Sequence, residues 1–426
     1  MGVVMSLELV FQASSTLEKF RCGPLGNDMD GFCDWLLDAG YSRGSVRLIV
    51  SHTSHLNQFL KSSKSSSKWD VLFANEIDAF FKAYPKYARN RGPLEKHVRR
   101  LQWSIHRFIE YLKQLGRFDG QSQQPVFSGI LEDYLLWMHD YHHVAPGTLG
   151  VRRHSISEYL KWLGDKATYQ GVAQLTPDQV EQYFLSYAQS AGPSAKRSMQ
   201  AALRTFFRFC LQKGLIQYPL DKAVPTLPTY KLATVPRGVS NAQAQILLDS
   251  VNRNTPVGRR DYAILQMLYT YGVRGGQVRN LKLTDIHWSD NQILFKAHKH
   301  GKESLLPLTE EVGESLLVYL KEARPQCTYP EVFLTSRAPY HQLNRSGTLS
   351  AIVCRYIVKA DIKVSSKGSH TLRHCFATRM VQAGHPLKSV ADVLGHRYLS
   401  TTFIYTKVNF NALKQVALEW PGEVLK

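Results

Sequence analysis

The segment His370-Thr371-Leu372-Arg373-His374 decides how this 426-residue chain is interpreted, because two shorter segments follow it in order. Leu394-Gly395-His396 comes first, and Ile404-Tyr405-Thr406 comes second. Residues three apart share one face of a helix, so His370 and Arg373 are predicted to point at a common target. A guanidinium can hold a phosphate through two parallel hydrogen bonds while a phenol attacks it. This order therefore predicts a site that breaks a phosphodiester without a metal.

A second arginine is predicted to join this site from an earlier part of the chain. Residues 261–270 have the apolar spacing of a helix, and that helix runs into Tyr271-Gly272-Val273-Arg274. The glycine permits a turn, so Arg274 is expected at the junction between two helices. Three short strands are then predicted at 281–286, 292–295 and 304–308, with a basic turn between the last two.

Together these segments resemble the tyrosine recombinase family, which includes phage integrases, Xer-type recombinases, and the integrases and transposases of mobile elements. The matching segments lie between about residues 240 and 410. The resemblance implies a mostly α fold with a small antiparallel β-sheet in the C-terminal catalytic domain. It also implies helical SAM-like core-binding domains that form a C-shaped clamp on DNA.

The resemblance assigns a role to each candidate catalytic residue. Arg274 and Arg373 would hold the scissile phosphate together with His396, and His370 would assist proton transfer at the nucleophile Tyr405. Lys299, in the turn of the predicted hairpin, would protonate the leaving 5′ oxygen. Lys302 is the second choice for this acid, and Lys296 is the third. Tyr398 is the nearest rival nucleophile, but it follows His396 too closely for the family spacing.

One position departs from the family pattern. Most relatives carry an acidic residue three positions after the first arginine, where this chain has Gln277. An amide oxygen accepts a hydrogen bond but supplies no countercharge, so the bracing of Arg274 is put in doubt. His298 and His300 flank Lys299, but two histidines without further ligands do not predict a metal site. We expect neither a metal nor a cofactor.

The composition favours nucleic acid as the partner. The formal net charge is +19 and the pI is about 9.6, as expected of a protein that binds a polyanion. Six cysteines without a C-x-x-C pair fit a reducing compartment. No apolar run approaches the roughly 18 residues of a membrane span. We expect a protein of the cytoplasm, associated with the nucleoid and not with a membrane.

The chain before residue 235 is helical in pattern, and two of its segments resemble each other. Leu56 and Leu60 correspond to Tyr159 and Leu163 with the same offset along the chain, and a later helix repeats with a shorter offset. We interpret this as a duplicated core-binding unit. The predicted division is residues 1–124 as an N-terminal helical domain, 125–218 as the core-binding domain, 219–236 as a linker, 237–410 as the catalytic domain, and 411–426 as a tail. The family resemblance implies that this tail docks in trans on a neighbouring protomer, and docking on its own chain is the alternative.

Basic side chains recur near the helix starts and exposed faces of both units, where they could neutralise phosphates. The candidate DNA-binding residues are Arg43, Arg47, Arg99, Arg100, Arg152, Arg153, Lys196, Arg197, Arg204, Arg208 and Lys302. By resemblance, the partners are double-stranded recombination sites and further copies of the chain. A dimer would bind one site and a tetramer would hold two sites in synapsis, and other recombinases are further candidate partners.

Three functions remain open at this point. A site-specific recombinase would cut and rejoin strands through a 3′-phosphotyrosyl intermediate and a Holliday junction, for integration and excision or for transposition of a mobile element. A type IB topoisomerase would use the same chemistry as a monomer without sequence preference. A catalytically silent relative would bind DNA without forming an adduct. The two helical units favour the recombinase.

Overall fold

The computed structural model describes residues 6–62, 72–87, 93–120, 125–227, 238–297, 303–343, 347–364, 366–396 and 398–408. Lys299, Lys302 and the predicted tail at 411–426 lie outside the described residues, as does much of the predicted linker. The helices are α1 Ser6–Val10, α2 Ser14–Arg21, α3 Met29–Asp38, α4 Arg43–Ser62, α5 Ala74–Tyr87, α6 Leu94–Gln114, α7 Ser128–His142, α8 Pro146–Leu163, α9 Tyr169–Ala173, α10 Pro177–Ser190, α11 Pro193–Gln212, α12 Asn241–Asp249, α13 Pro256–Tyr271, α14 Gly275–Arg279, α15 Glu310–Glu322, α16 Thr348–Lys359, α17 Ser369–Gln382 and α18 Leu387–Val393.

The strands are short. They are β1 Leu72–Phe73, β2 Phe118–Asp119, β3 Ile286–His287, β4 Gln292–Phe295 and β5 Ser304–Pro307. Strands β1 and β2 pair in parallel, whereas β3, β4 and β5 form an antiparallel sheet in sequence order with Ile293 opposite Leu306. This arrangement of many helices and one small antiparallel sheet confirms the predicted fold class. Among the described residues no helix is long and apolar enough to cross a membrane.

The described chain forms two compact units. One contains residues 1–61 and 231–426, and the other contains residues 62–230. The division at residue 61 falls inside the predicted 1–124 domain, so the predicted domain boundaries are kept as a proposal. The predicted C-shaped clamp is likewise kept as a proposal.

The 62–230 unit has an aromatic core built by helices α7, α8, α10 and α11. Tyr134 of α7 meets the rings of Phe206 and Phe209 of α11 edge-on, and its hydroxyl bonds Thr205 Oγ1 at 2.8 Å. Helix α10 begins at a capping box, in which the Thr176 hydroxyl accepts from the backbone N–H of Gln179. These contacts make the predicted core-binding residues a packed bundle.

The helix bounds support the interpretation of a duplication. Helix α5 at 74–87 and helix α10 at 177–190 differ by 103 at both ends, and the starts of α4 and α8 differ by the same number. After the last helix of each segment, Gly116 and Gly214 have φ of 69° and 68° and differ by 98. The predicted pairs of apolar residues are also buried in both segments. The duplication remains a proposal with these observations behind it.

Helix α13 lies at the centre of the C-terminal core, where it packs against α15 and α17. Its Asp261 is fully buried and accepts hydrogen bonds from Arg260, Arg355 and the Tyr356 hydroxyl. This buried carboxylate joins α13 to α16 through Arg355 and Tyr356. The strand predicted at 281–286 was wrong for most of its length, because Leu283–Asp285 forms a 3₁₀ turn. The cause is local, since the Asp285 carboxylate accepts from the Lys282 N–H at 2.9 Å.

Candidate active site

Helix α17 carries an arginine into the interior of the C-terminal unit. Arg373 is 5% exposed, and its Nη1 and Nη2 donate to the carbonyls of Gly272 and Leu394 at 2.9 and 2.7 Å. Gly272 has φ of 59°, and a Cβ at this position would collide with the Phe376 ring. The glycine therefore lets the turn after α13 approach α17 closely enough to bond Arg373.

Arg274 approaches the same point from the other side of that turn. It is the residue before α14, as the sequence predicted, and its Nη2 donates to the Gly395 carbonyl at 3.1 Å. The two guanidiniums thus bond consecutive carbonyls, those of Leu394 and Gly395. Since His396 follows directly, all three cationic or imidazole groups meet at one turn.

His396 is held by one backbone contact and one contact of its ring. Its backbone N–H donates to the Ala391 carbonyl at 2.9 Å, which ends helix α18. Its Nδ1 lies 2.8 Å from the Thr402 hydroxyl, and Thr402 is fully buried. Thr402 leads directly into the Phe403–Val408 3₁₀ helix. The contact therefore ties the imidazole to the segment that carries the candidate nucleophile.

Tyr405 is buried in that 3₁₀ helix. It is 2% exposed and belongs to a small apolar cluster with Phe376, Val390 and Leu394. Its hydroxyl lies 2.8 Å from Nδ1 of His374, one residue after Arg373 on helix α17. The structure therefore brings Arg274, Arg373, His396 and Tyr405 together, and it adds His374.

The sequence pattern assigned no catalytic role to His374. A signal for a closer role was present, because positions 370 and 374 are four apart and share one helical face. What the sequence could not show is that the ring of residue 374 meets the hydroxyl of residue 405. His370 itself is exposed at the start of α17.

Of the three lysines predicted as candidates for the general acid, one lies among the described residues. Lys299 and Lys302 fall outside the described residues, so their assignment remains a prediction. Lys296, the third choice, is described, and its Nζ pairs with the Asp285 carboxylate at 2.7 Å. That pair keeps Lys296 at the base of the hairpin.

Among the described residues, the site is an electropositive cluster without an acidic partner. Burial lowers the pKa of Arg274, and burial together with repulsion from Arg274 lowers the pKa of Arg373 to about 10. In the part of the chain that the structure describes, no carboxylate bonds either guanidinium. Burial raises the pKa of Tyr405, and the charge of Arg373 opposes that shift. A bound anion would relieve the mutual repulsion of these groups.

The pKa of His396 predicts an acid-dependent loss of stability. Burial and then the charges of Arg373 and Arg274 lower this pKa from 6.5 to about 4. Between these values the unfolded chain binds more protons, so stability is complete above about pH 6.5 and declines as the pH falls towards 4. We expect a lower free energy of unfolding at pH 5 than at pH 7.5 in denaturant titrations. His396→Asn should show a smaller decline, and equal declines in both proteins would contradict the prediction.

Gln277 has two partners that an acidic side chain could not both serve. It is buried, and its Oε1 accepts from the Arg274 N–H at 3.1 Å. Its Nε2 donates to the Lys296 carbonyl at 3.2 Å. The amide therefore connects the backbone of Arg274 to the end of β4, from which the hairpin with Lys299 departs. Gln277 supplies no countercharge to Arg274. It braces the backbone of Arg274 instead, through hydrogen bonds of both its amide oxygen and its amide nitrogen.

Substitutions of Gln277 are expected to rank by the bonds they remove. Gln277→Glu keeps the acceptor but loses the donor, whereas Gln277→Ala loses both and leaves two backbone groups unpaired at roughly 1–3 kcal/mol each. In thermal unfolding followed by circular dichroism, the melting temperature should therefore fall from the wild type to Gln277→Glu and again to Gln277→Ala. The matched control is Gln245→Ala on the exposed face of α12, with an expected change below about 0.5 kcal/mol. A glutamate as stable as glutamine would refute the donor bond.

Most of the candidate DNA-binding arginines have partners within the chain. Arg99 pairs with Glu95, Arg153 with Glu132, and Arg208 with Asp221, all at exposed or half-buried sites. Arg47 Nε donates to the Val10 carbonyl and Arg152 to the Ser198 carbonyl, and Arg204 donates to the Val224 carbonyl and the Thr226 hydroxyl. Exposed pairs of this kind contribute little to stability and can exchange for phosphate.

The other predicted DNA contacts are described without such pairs. Arg43, Arg100 and Arg197 are exposed, and Lys196 is half-buried. These residues lie on α4, α6 and α11. Their role in DNA binding stays a prediction. In the described ranges, no group of three or more His, Cys, Asp or Glu side chains could hold a metal.

Comparison with known proteins gives a consistent result. The model of the phage integrase family matches residues 238–412. A putative integrase/recombinase of Sinorhizobium fredii is 36% identical over 407 residues, covering 94% of this chain and 96% of the relative. The tyrosine recombinase XerD of Vibrio cholerae is 30% identical over 295 residues, covering 68% of this chain and 94% of the relative.

Two solved structures share the fold. A lambda integrase dimer bound to a COC′ core site has a TM-score of 0.51 at 16% identity, covering 70% of this chain and 99% of that protein. XerH recombinase bound to a palindromic difH substrate in a post-cleavage complex has a TM-score of 0.50 at 20% identity, covering 63% and 78%.

Proposed function

Since the chain belongs to the tyrosine recombinase family, also called the phage integrase family, and is a site-specific recombinase, we propose that Tyr405 cuts DNA by attacking a backbone phosphate. The attack would form a 3′-phosphotyrosyl bond and release a 5′ hydroxyl. That bond conserves the energy of the broken phosphodiester, so rejoining would need no further energy source. Attack by a 5′ hydroxyl of a second duplex would then exchange strands through a Holliday junction.

One observation carries this proposal. Arg274 and Arg373 converge from different elements on the consecutive carbonyls of residues 394 and 395, next to His396. The Tyr405 hydroxyl lies within the electrostatic influence of Arg373. A phosphate at this turn would receive charged donors from two guanidiniums and a neutral N–H donor from one imidazole, which is the arrangement that stabilises a phosphorane-like transition state.

Proton donation to the leaving oxygen is assigned to the hairpin after β4. An alkoxide leaves readily only with a proton, and a lysine ammonium next to the phosphate can supply it. Lys299 is the proposed donor and Lys302 is the alternative. Gln277 supports this assignment indirectly, because it bonds both Arg274 and the carbonyl at the base of the same hairpin.

The wider organisation follows the family resemblance. The 125–218 core-binding domain, its proposed duplicate within 1–124 and the 237–410 catalytic domain would clamp a duplex, joined by the linker at 219–236. A dimer on each site and a tetramer in synapsis would complete the reaction, with residues 411–426 docking in trans. The proposed role is integration and excision, or transposition, of a mobile element in the cytoplasm.

The test is to trap and map the adduct. The full-length protein is incubated with nicked suicide duplexes that tile the DNA flanking its own gene, and the adduct is digested with trypsin. Cleavage after Arg397 and Lys407 releases peptide 398–407, which contains both Tyr398 and Tyr405. A nucleotide on Tyr405 in the fragment spectrum supports the proposal. A nucleotide on Tyr398, or no adduct with any duplex, overturns it.

A further inference from the structure

The candidate nucleophile has a hydrogen-bond partner on helix α17. The Tyr405 hydroxyl lies 2.8 Å from Nδ1 of His374, and the two ring centroids are 5.6 Å apart. Tyr405 is 2% exposed, so bulk water has little access to this hydroxyl. A buried phenol that must lose its proton needs an acceptor within hydrogen-bond reach, and His374 Nδ1 is in that position.

We propose that His374 is the base that takes the Tyr405 proton during cleavage and returns it during rejoining. The inference rests on the proposed function and names a residue for one of its steps. It moves the proton transfer at the tyrosine from His370 to His374. His370 lies one helical turn earlier, at the exposed start of α17.

The protonation states suit this direction of transfer. Burial, followed by the nearby His370 and Arg373, holds the pKa of His374 below its ordinary value. The ring is therefore neutral at pH 7, and the tautomer with its proton on Nε2 presents a lone pair from Nδ1 to the hydroxyl. Burial also raises the pKa of Tyr405, so the phenol keeps its proton until a base accepts it.

The step balances without an added reagent. The Tyr405 oxygen bonds the scissile phosphorus while its O–H bond breaks, and the proton moves to His374 Nδ1. The phosphorus–O5′ bond breaks, its electron pair stays on the 5′ oxygen, and that oxygen takes a proton from the lysine of the hairpin. Rejoining reverses both transfers, so His374 then protonates the departing tyrosine oxygen.

The first measurement is the rate of a single round of cleavage on a nicked suicide duplex. His374→Asn places an amide where Nδ1 lies and can bond the hydroxyl, but it cannot accept the proton. General-base catalysis contributes roughly 10²–10⁴-fold, so a loss of that order is expected. His370→Asn, one turn away on the same helix, is expected to lose less. A larger loss in His370→Asn than in His374→Asn would return the role to His370.

A second measurement separates proton transfer from a structural role. The substrate is a DNA strand ending in a 3′ phosphate esterified with 4-nitrophenol, to which a 5′-hydroxyl strand is joined. The nitrophenolate leaves without a proton, so this joining needs the phosphate-binding groups but no acid at the tyrosine position. Tyr405→Phe and Tyr405→Phe/His374→Asn proteins should therefore join the strands at equal rates. If the His374→Asn substitution slowed cleavage and nitrophenyl joining by the same factor, the proposal would be overturned. Cleavage by His374→Asn at the wild-type rate would also overturn it.

The same assays distinguish this failure from failure of the proposed function. If the wild-type protein forms no adduct and the Tyr405→Phe protein joins no nitrophenyl strand, the phosphate-binding site itself is refuted. If the wild-type protein forms the adduct on Tyr405 and His374→Asn does so at the same rate, only the role of His374 is refuted.

Discussion

Tyr405→Phe is expected to abolish the covalent protein–DNA adduct completely while DNA affinity stays at the wild-type level. The substitution removes the single oxygen that would attack phosphorus, and it leaves the two arginines and the helical units unchanged. It also removes the bond to His374 Nδ1, which costs roughly 0.5–1.5 kcal/mol of stability. The adduct is measured by denaturing gel with labelled suicide duplex, and the affinity by a gel-shift titration.

The matched control is Tyr398→Phe, which removes a hydroxyl from the nearest rival tyrosine. Tyr398 is 61% exposed and lies seven residues before Tyr405 in the chain. Its variant should form adduct at the wild-type rate. Adduct formation by Tyr405→Phe, or its loss in Tyr398→Phe, would show that the attacking oxygen belongs to another residue.

The sequence predicted those parts of the fold that depend on local spacing. Apolar residues three and four apart located α13 and the repeated helices, and the predicted strand at 292–295 has the bounds of β4. The strand predicted at 281–286 failed because a side chain, that of Asp285, bonds a backbone N–H three residues away. Apolar alternation carries no information about such a bond, so the turn was missed.

The same limit applies to the candidate site, whose residues could be predicted from the sequence but whose contacts could not. Arg274, Arg373, His396 and Tyr405 could be named from order and type because they occur in short characteristic segments. The partners of these residues could not be named, since most of the bonds join positions that are distant in the chain. His374 meets a residue 31 positions later, and Gln277 bonds a carbonyl 19 positions later. Which groups are brought together across such distances is decided by packing around α13 and α17.

Arg373→Ala is expected to reduce the rate of cleavage by about three orders of magnitude. Removing one preorganised donor from a transition-state site typically costs 10²–10³-fold, and Arg373 also steadies the turn that carries His396 through the Leu394 carbonyl. The substitution removes two hydrogen bonds to carbonyls, which lowers stability. It also removes a buried charge without a described carboxylate partner, which raises stability. The free energy of unfolding should therefore change by no more than about 2 kcal/mol. Single-turnover cleavage and denaturant titration measure the two effects.

Two further variants decide whether position 373 needs a guanidinium. Arg373→Lys keeps the charge, but one ammonium cannot reproduce the planar pair of bonds to Gly272 and Leu394, so cleavage should stay low. Arg379→Ala is the matched control on the same helix, where the guanidinium stacks on Tyr269 and bonds its carbonyl. It should cost about 1–3 kcal/mol of stability and leave cleavage intact. If denaturant titration shows that Arg373→Ala is no less stable than Arg379→Ala, a loss of cleavage confined to position 373 could not be attributed to unfolding. Normal cleavage by Arg373→Ala would refute the paired-arginine site.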